Sequence, residues 1–61
     1  MVVFKYFNNS NKIKKVVNNA NVMVEDVLEN TVNKIEPYET VLVKSDKNVS
    51  IDSHKNKIII R

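Results

Sequence analysis

The sequence predicts an α+β fold: one small domain over residues 1–61, ordered β-β-α-β-β-β, with a single helix packed on one face of a mixed or antiparallel sheet. Three observations predict it. The two ends of the chain, residues 2–7 and 57–61, are rich in β-branched or aromatic side chains, which is strand composition. Apolar or β-branched residues at 24, 27, 28, 31, 32 and 35 recur with the spacing of one helix face. After Pro37 the spacing returns to two, with Val41 and Val43 alternating with Thr40, Leu42 and Lys44.

Each element has its own local reason. The first strand, Val-Val-Phe-Lys-Tyr-Phe, stops at Asn8-Asn9-Ser10-Asn11, because asparagine tolerates positive φ and closes Asx-turns. A second strand through Ile13, Val16 and Val17 completes a predicted hairpin with it. The helix is expected over residues 22–35, with Asn21 as N-cap, Glu25 and Asp26 near its positive end and Lys34 near its negative end. Leu28 lies at the centre of its apolar face, so Leu28→Asp is expected to unfold the domain. Pro37 ends the helix and pushes Glu36 toward extended backbone. Ser45-Asp46-Lys47-Asn48 and His54-Lys55-Asn56 are the next breaks, with Val49 and Ile51 on a strand between them. The chain has no glycine, and eight asparagines (8, 9, 11, 18, 19, 21, 48 and 56) stand where the periodicity breaks or the helix begins. They are read as bends, doing the work glycine usually does.

The opening hairpin, MVVFKYF then KIKKVVNN, followed by VMVEDVLENTVNKI, resembles the start of the β-grasp, or ubiquitin-like, superfold. The resemblance implies that the first and last strands lie side by side in mid-sheet. Met1, Val2, Val3 and Phe4 and then Ile58, Ile59 and Ile60 are continuous apolar runs that suit strands covered on both faces. Ubiquitin-like modifiers end in Gly-Gly, whereas this chain ends Ile-Ile-Ile-Arg, so no conjugation or sulfur-transfer chemistry carries over. KIEPYETVLV with the later NKIIIR is also similar to the C-terminal half of swapped-hairpin transition-state-regulator DNA-binding domains, which form intertwined dimers. The glycine and arginine pattern of their N-terminal half is missing.

Composition argues against several kinds of chemistry. A chain of 61 residues is one domain at most, and at this size it buries only roughly 60% of its unfolded surface. Without cysteine there is no disulfide or thiolate chemistry, and one histidine does not make a usual zinc site. No apolar run approaches the ~20 residues of a membrane span, and no signal-peptide pattern is present. A cytoplasmic location is expected. Ser50, Asp52 and His54 share one strand face, where side chains run parallel rather than converge as a triad must. Glu25, Asp26 and Glu29 have no calcium-loop spacing. No enzyme, cofactor, metal or small-molecule substrate is expected.

Two surfaces remain as candidates. One helix covers only one sheet face, which leaves Val3, Lys5, Phe7, Ile59 and Arg61 as an expected protein-binding patch, for another protein or for a second copy in a homodimer. An inhibitor, adaptor or subunit docking through this face or through an exposed edge strand is expected. The alternative is nucleic-acid binding. With a formal charge of +3, Lys5, Lys12, Lys14, Lys15, Lys57 and Arg61 lie on or beside strands expected to be neighbours, interleaved with Phe4, Tyr6 and Phe7.

Overall fold

The computed structural model describes residues 1–61. Seven strands make up the fold: β1 (Val2–Phe7), β2 (Lys14–Asn18), β3 (Met23–Asp26), β4 (Lys34–Ile35), β5 (Thr40–Ser45), β6 (Ile51–Ser53) and β7 (Lys57–Ile60). No residue is helical, so the α+β assignment is replaced by an all-β one. The β-grasp expectation falls with the helix that defined it.

The strands form two sheets, ordered β1-β5-β3 and β4-β2-β7-β6. All pairings are antiparallel except β2 with β7, which is parallel. The expected β1–β2 hairpin is absent. β1 pairs instead with β5, Phe4 opposite Val43 and Tyr6 opposite Val41. Nor do the first and last strands lie side by side, because β1 and β7 belong to different sheets. Residues 31–35 join the two. Thr31 bridges to Glu25, Val32 N–H donates to Val24 C=O at 3.0 Å, and Ile35 then sits opposite Lys14 on β2.

The helix expectation fails for an identifiable reason. Residues 22–35 hold many β-branched side chains, which lose rotamer freedom in a helix and pack well on a pleated sheet. The same residues satisfy a two-residue period at their start. Val24, opposite Val43, is buried, whereas Met23, opposite Lys44, is exposed. Asp26 then closes a tight turn. Its Oδ1 accepts from Leu28 N–H at 2.9 Å and Asn30 N–H at 3.0 Å, and its backbone C=O accepts from Glu29 N–H at 3.0 Å. Val27 and Leu28, expected on a buried face, stand at the tip of this turn, Leu28 78% exposed.

One core lies between the sheets. Val24, Val41 and Val43 come from the first, Ile35, Ile58 and Ile60 from the second. Phe4, Tyr6, Val16 and Ile51 pack around them. Burying each such side chain contributes about 2 kcal/mol relative to leaving it in water.

Asparagine replaces glycine only in part. Asn21, between β2 and β3, does adopt φ 54°, but the other left-handed positions belong to Glu29 (67°) and Tyr38 (56°). Asn8 and Asn18 act through their side chains instead. Asn18 brackets Val22, donating to its C=O at 2.6 Å and accepting from its N–H at 3.1 Å. Asn8 is fully buried. Its Nδ2 donates to the carbonyls of Lys12 (2.8 Å), Ile35 (3.2 Å) and Glu36 (3.0 Å), and its Oδ1 accepts from Ser10 Oγ at 2.7 Å. Its backbone pairs with the 36–39 turn: Asn8 N–H donates to Glu39 C=O and Tyr38 N–H to Asn8 C=O, both at 2.9 Å.

Candidate functional site

Two outer faces point away from the shared core, one on each sheet. On the three-stranded sheet, alternation along β1 sends Val2, Phe4 and Tyr6 inward and Val3, Lys5 and Phe7 outward. Register then sets the outer rows: Val3–Lys44–Met23, Lys5–Leu42–Glu25, and Phe7–Thr40. Three apolar side chains on this face remain about half exposed, Val3 at 52%, Phe7 at 50% and Met23 at 50%. Leu42 lies among them, part-buried.

The face carries one neutralised pair and one free cation. Lys44 Nζ lies 2.7 Å from Glu25 Oε1, a carboxylate oxygen with no other partner. That approach is off the favoured hydrogen-bond directions, but it is close enough for the ammonium to compensate the buried charge. Contact with Glu25 holds the Lys44 amine above the usual lysine range against the opposing effect of desolvation. Lys5 makes no ion pair. At the neighbouring turn, hydrogen bonding from Asn30 N–H to its carboxylate holds Asp26 below the usual range.

The outer face of the four-stranded sheet is basic. Lys34 stands opposite Lys15, and Lys15 opposite Lys57, so three lysines cross three strands in one line. The next line is Val17–Ile59–Asp52. Arg61, just beyond β7, places Nε 2.9 Å from Asp52 Oδ2.

The expected protein-binding patch is therefore divided: Val3, Lys5 and Phe7 are on the first face, Ile59 and Arg61 on the second. The expected nucleic-acid residues are scattered more widely. Only Lys15 and Lys57 are neighbours. Lys5 is on the opposite sheet, Lys12 lies in the loop before β2, and Arg61 is held by Asp52. Lys14 is on the inner side of β2, its Nζ 3.2 Å from Ser53 Oγ and 3.4 Å from Tyr6 OH. Those two hydroxyls are 2.7 Å apart. A lysine, a serine and a tyrosine so grouped are chemically capable of base and nucleophile roles, but here they join β1 to β2 and β6 and so tie one sheet to the other. Ser50, Asp52 and His54 do not converge: Asp52 turns to Arg61, and His54 N–H donates to Lys57 C=O in the β6–β7 turn.

Sequence reading missed Met23 and Lys34. Both fell inside the expected helix, so their strand faces were not assigned. The alternation Val22-Met23-Val24-Glu25 was the available signal for Met23. Lys34 had none, because its place beside Lys15 depends on a pairing between distant segments.

No protein-family model matches the chain, and no curated protein or solved structure matches it either.

Proposed function

We propose that the protein is a non-enzymatic interaction module, an inhibitor, adaptor or subunit, that docks another protein on the outer face of β1, β5 and β3. The observation that carries this reading is the half-exposed triplet Val3, Phe7 and Met23 around Leu42 on one continuous sheet face. The largest apolar patch on a small protein is often its association surface. Lys5, in the same face and without an acid partner, selects a partner whose apolar surface carries a carboxylate. Three strands about 4.8 Å apart and ~20 Å long give a footprint of about 14 by 20 Å. That is well below the ~800 Å² per partner of a stable complex, so the contact is transient unless neighbouring loops join it. A chain without cysteine suits a reducing compartment, and we place this activity in the cytoplasm.

Selection from a random peptide library displayed on phage tests the proposal. Enriched peptides should combine apolar residues with Asp or Glu, and their binding should fall at least tenfold in Phe7→Ser and in Lys5→Glu. Peptides that bind both variants like the wild type would remove the face from consideration. Sedimentation from about 10 µM to 1 mM identifies the remaining occupant: a dimer dissolved by Phe7→Ser would make it a second copy of the chain.

A further inference from the structure

We infer that the outer face of β4, β2 and β7 is a second and separate binding site, and that its ligand is the sugar-phosphate backbone of double-stranded nucleic acid. Lys34, Lys15 and Lys57 are directly opposite one another on adjacent strands. Strand spacing alone sets their backbones within about 10 Å of one another. Like charges directly opposite across a sheet destabilise it, and the fold does little to offset the repulsion. Lys15 and Lys57 make no ion pair. Lys34 has only a loose one, 3.9 Å to Glu36 Oε1, with both side chains more than half exposed. All three lysines are exposed. A ligand with regularly spaced negative charge would relieve the repulsion that the chain leaves in place.

The arrangement favours a polyanion over a single acid. Lysine is a point charge that meets phosphate oxygens from many directions, and three of them in one line across adjacent strands match a ligand with repeated charges better than one carboxylate. The chain's one arginine is already engaged by Asp52. The face carries no phenylalanine, tyrosine or tryptophan: Phe4, Tyr6 and Phe7 are on β1 and Tyr38 is in the 36–39 turn. The exposed imidazole of His54, which closes the β6–β7 turn opposite Lys57, is a single ring and makes no platform for successive unpaired bases. Val17 and Ile59, part-buried in the next row, offer no hydrogen-bonding groups from their side chains to read base edges. Contact is thus confined to phosphates and is indifferent to sequence. The site stands independently of what docks on the opposite sheet.

Fluorescence anisotropy with a labelled ~20-base-pair duplex of mixed sequence tests the inference. Three phosphates neutralised give a slope of about −2.7 in log K against log salt, so affinity falls about 40-fold between ~50 and ~200 mM salt. Lys15→Gln should reduce that fall to about 12-fold, and the triple variant Lys15→Gln, Lys34→Gln, Lys57→Gln should abolish binding. Each variant removes like-charge repulsion, so its thermal midpoint should not drop, and loss of binding then cannot be loss of fold. Lys5→Gln and Phe7→Ser should bind the duplex like the wild type. No binding at ~50 mM salt, or equal binding by the triple variant, overturns the inference. So does equal competition by polyglutamate, which would point to an acidic protein segment instead.

Discussion

Removing the side-chain amide of Asn8 should cost this small protein much of its stability. The amide is fully buried and serves three carbonyls, those of Lys12, Ile35 and Glu36. The amide has two N–H groups to share among them, so in Asn8→Ala the donor lost inside the protein costs about 1–3 kcal/mol, while water limits the loss of the other to about 0.5–1 kcal/mol. The sum is about 3 kcal/mol. With a urea m-value of about 1 kcal/mol/M for a chain of this size, the midpoint should fall by about 3 M. Ser10→Ala, which removes the donor to Asn8 Oδ1 and two longer contacts with the Lys12 backbone (C=O at 3.3 Å, N–H at 3.4 Å), should cost about 1 kcal/mol.

Asn8→Asp sharpens the test through pH. An ionised carboxylate facing three carbonyls has nothing to donate, whereas the neutral acid can donate one O–H. Its folded pKa is therefore raised above the unfolded value near ~3.9. By linkage the variant is closest to wild type below that value, and the deficit grows as pH rises through the raised folded value. Urea titrations at pH 3, 5 and 7 measure the deficit against wild type. A midpoint shift under about 1 M for Asn8→Ala, or a deficit for Asn8→Asp that does not change with pH, would refute the assignment of Asn8 as the donor that ties these loops together.

Three further outcomes are expected. Leu28→Asp, at the exposed tip of the Asp26 turn, should change stability by no more than about 0.5 kcal/mol in a thermal melt. Ile58→Ala should cost about 2–5 kcal/mol by urea titration, because Ile58 is fully buried between the sheets. For the Glu25–Lys44 pair the sign is that of a raised cation: its contribution is complete below the ordinary lysine value of 10.5 and is lost as pH rises through the higher folded value. Wild type should therefore lose thermal stability above pH 10.5 more steeply than Lys44→Met does.

Some of this architecture was legible in the residues. The alternation of β1 and β5 shows in Val2–Phe7 and in Val41 and Val43, and the His54-Lys55-Asn56 break does separate two paired strands. Each of these depends on a local period or a local turn. The middle of the chain was misread because a helix face and a bent pair of short strands can share one apolar spacing. There Asp26 and Asn30, hydrogen-bonded across the turn, decided the outcome over the spacing of Val24, Val27, Leu28 and Val32. Pairing between distant segments was not legible at all. That Lys15 would meet both Lys34 and Lys57, or that Val3 and Ile59 would be on different sheets, follows from which strand finds which partner. The role of Asn8 was hidden for the same reason, since two of its three acceptors are supplied from Ile35 and Glu36.

The parallel alignment of β2 with β7 has a consequence for the birth of the molecule. About 40 residues separate these partners along the chain, and β7 supplies Ile58 and Ile60 to the centre of the fold. At a translation rate of about 5–20 residues per second, the early strand waits roughly 2–8 seconds for its mate. During that interval Val24, Ile35, Val41 and Val43 lack the two isoleucines that seal them, and the nascent polypeptide stays open to chaperones and proteases.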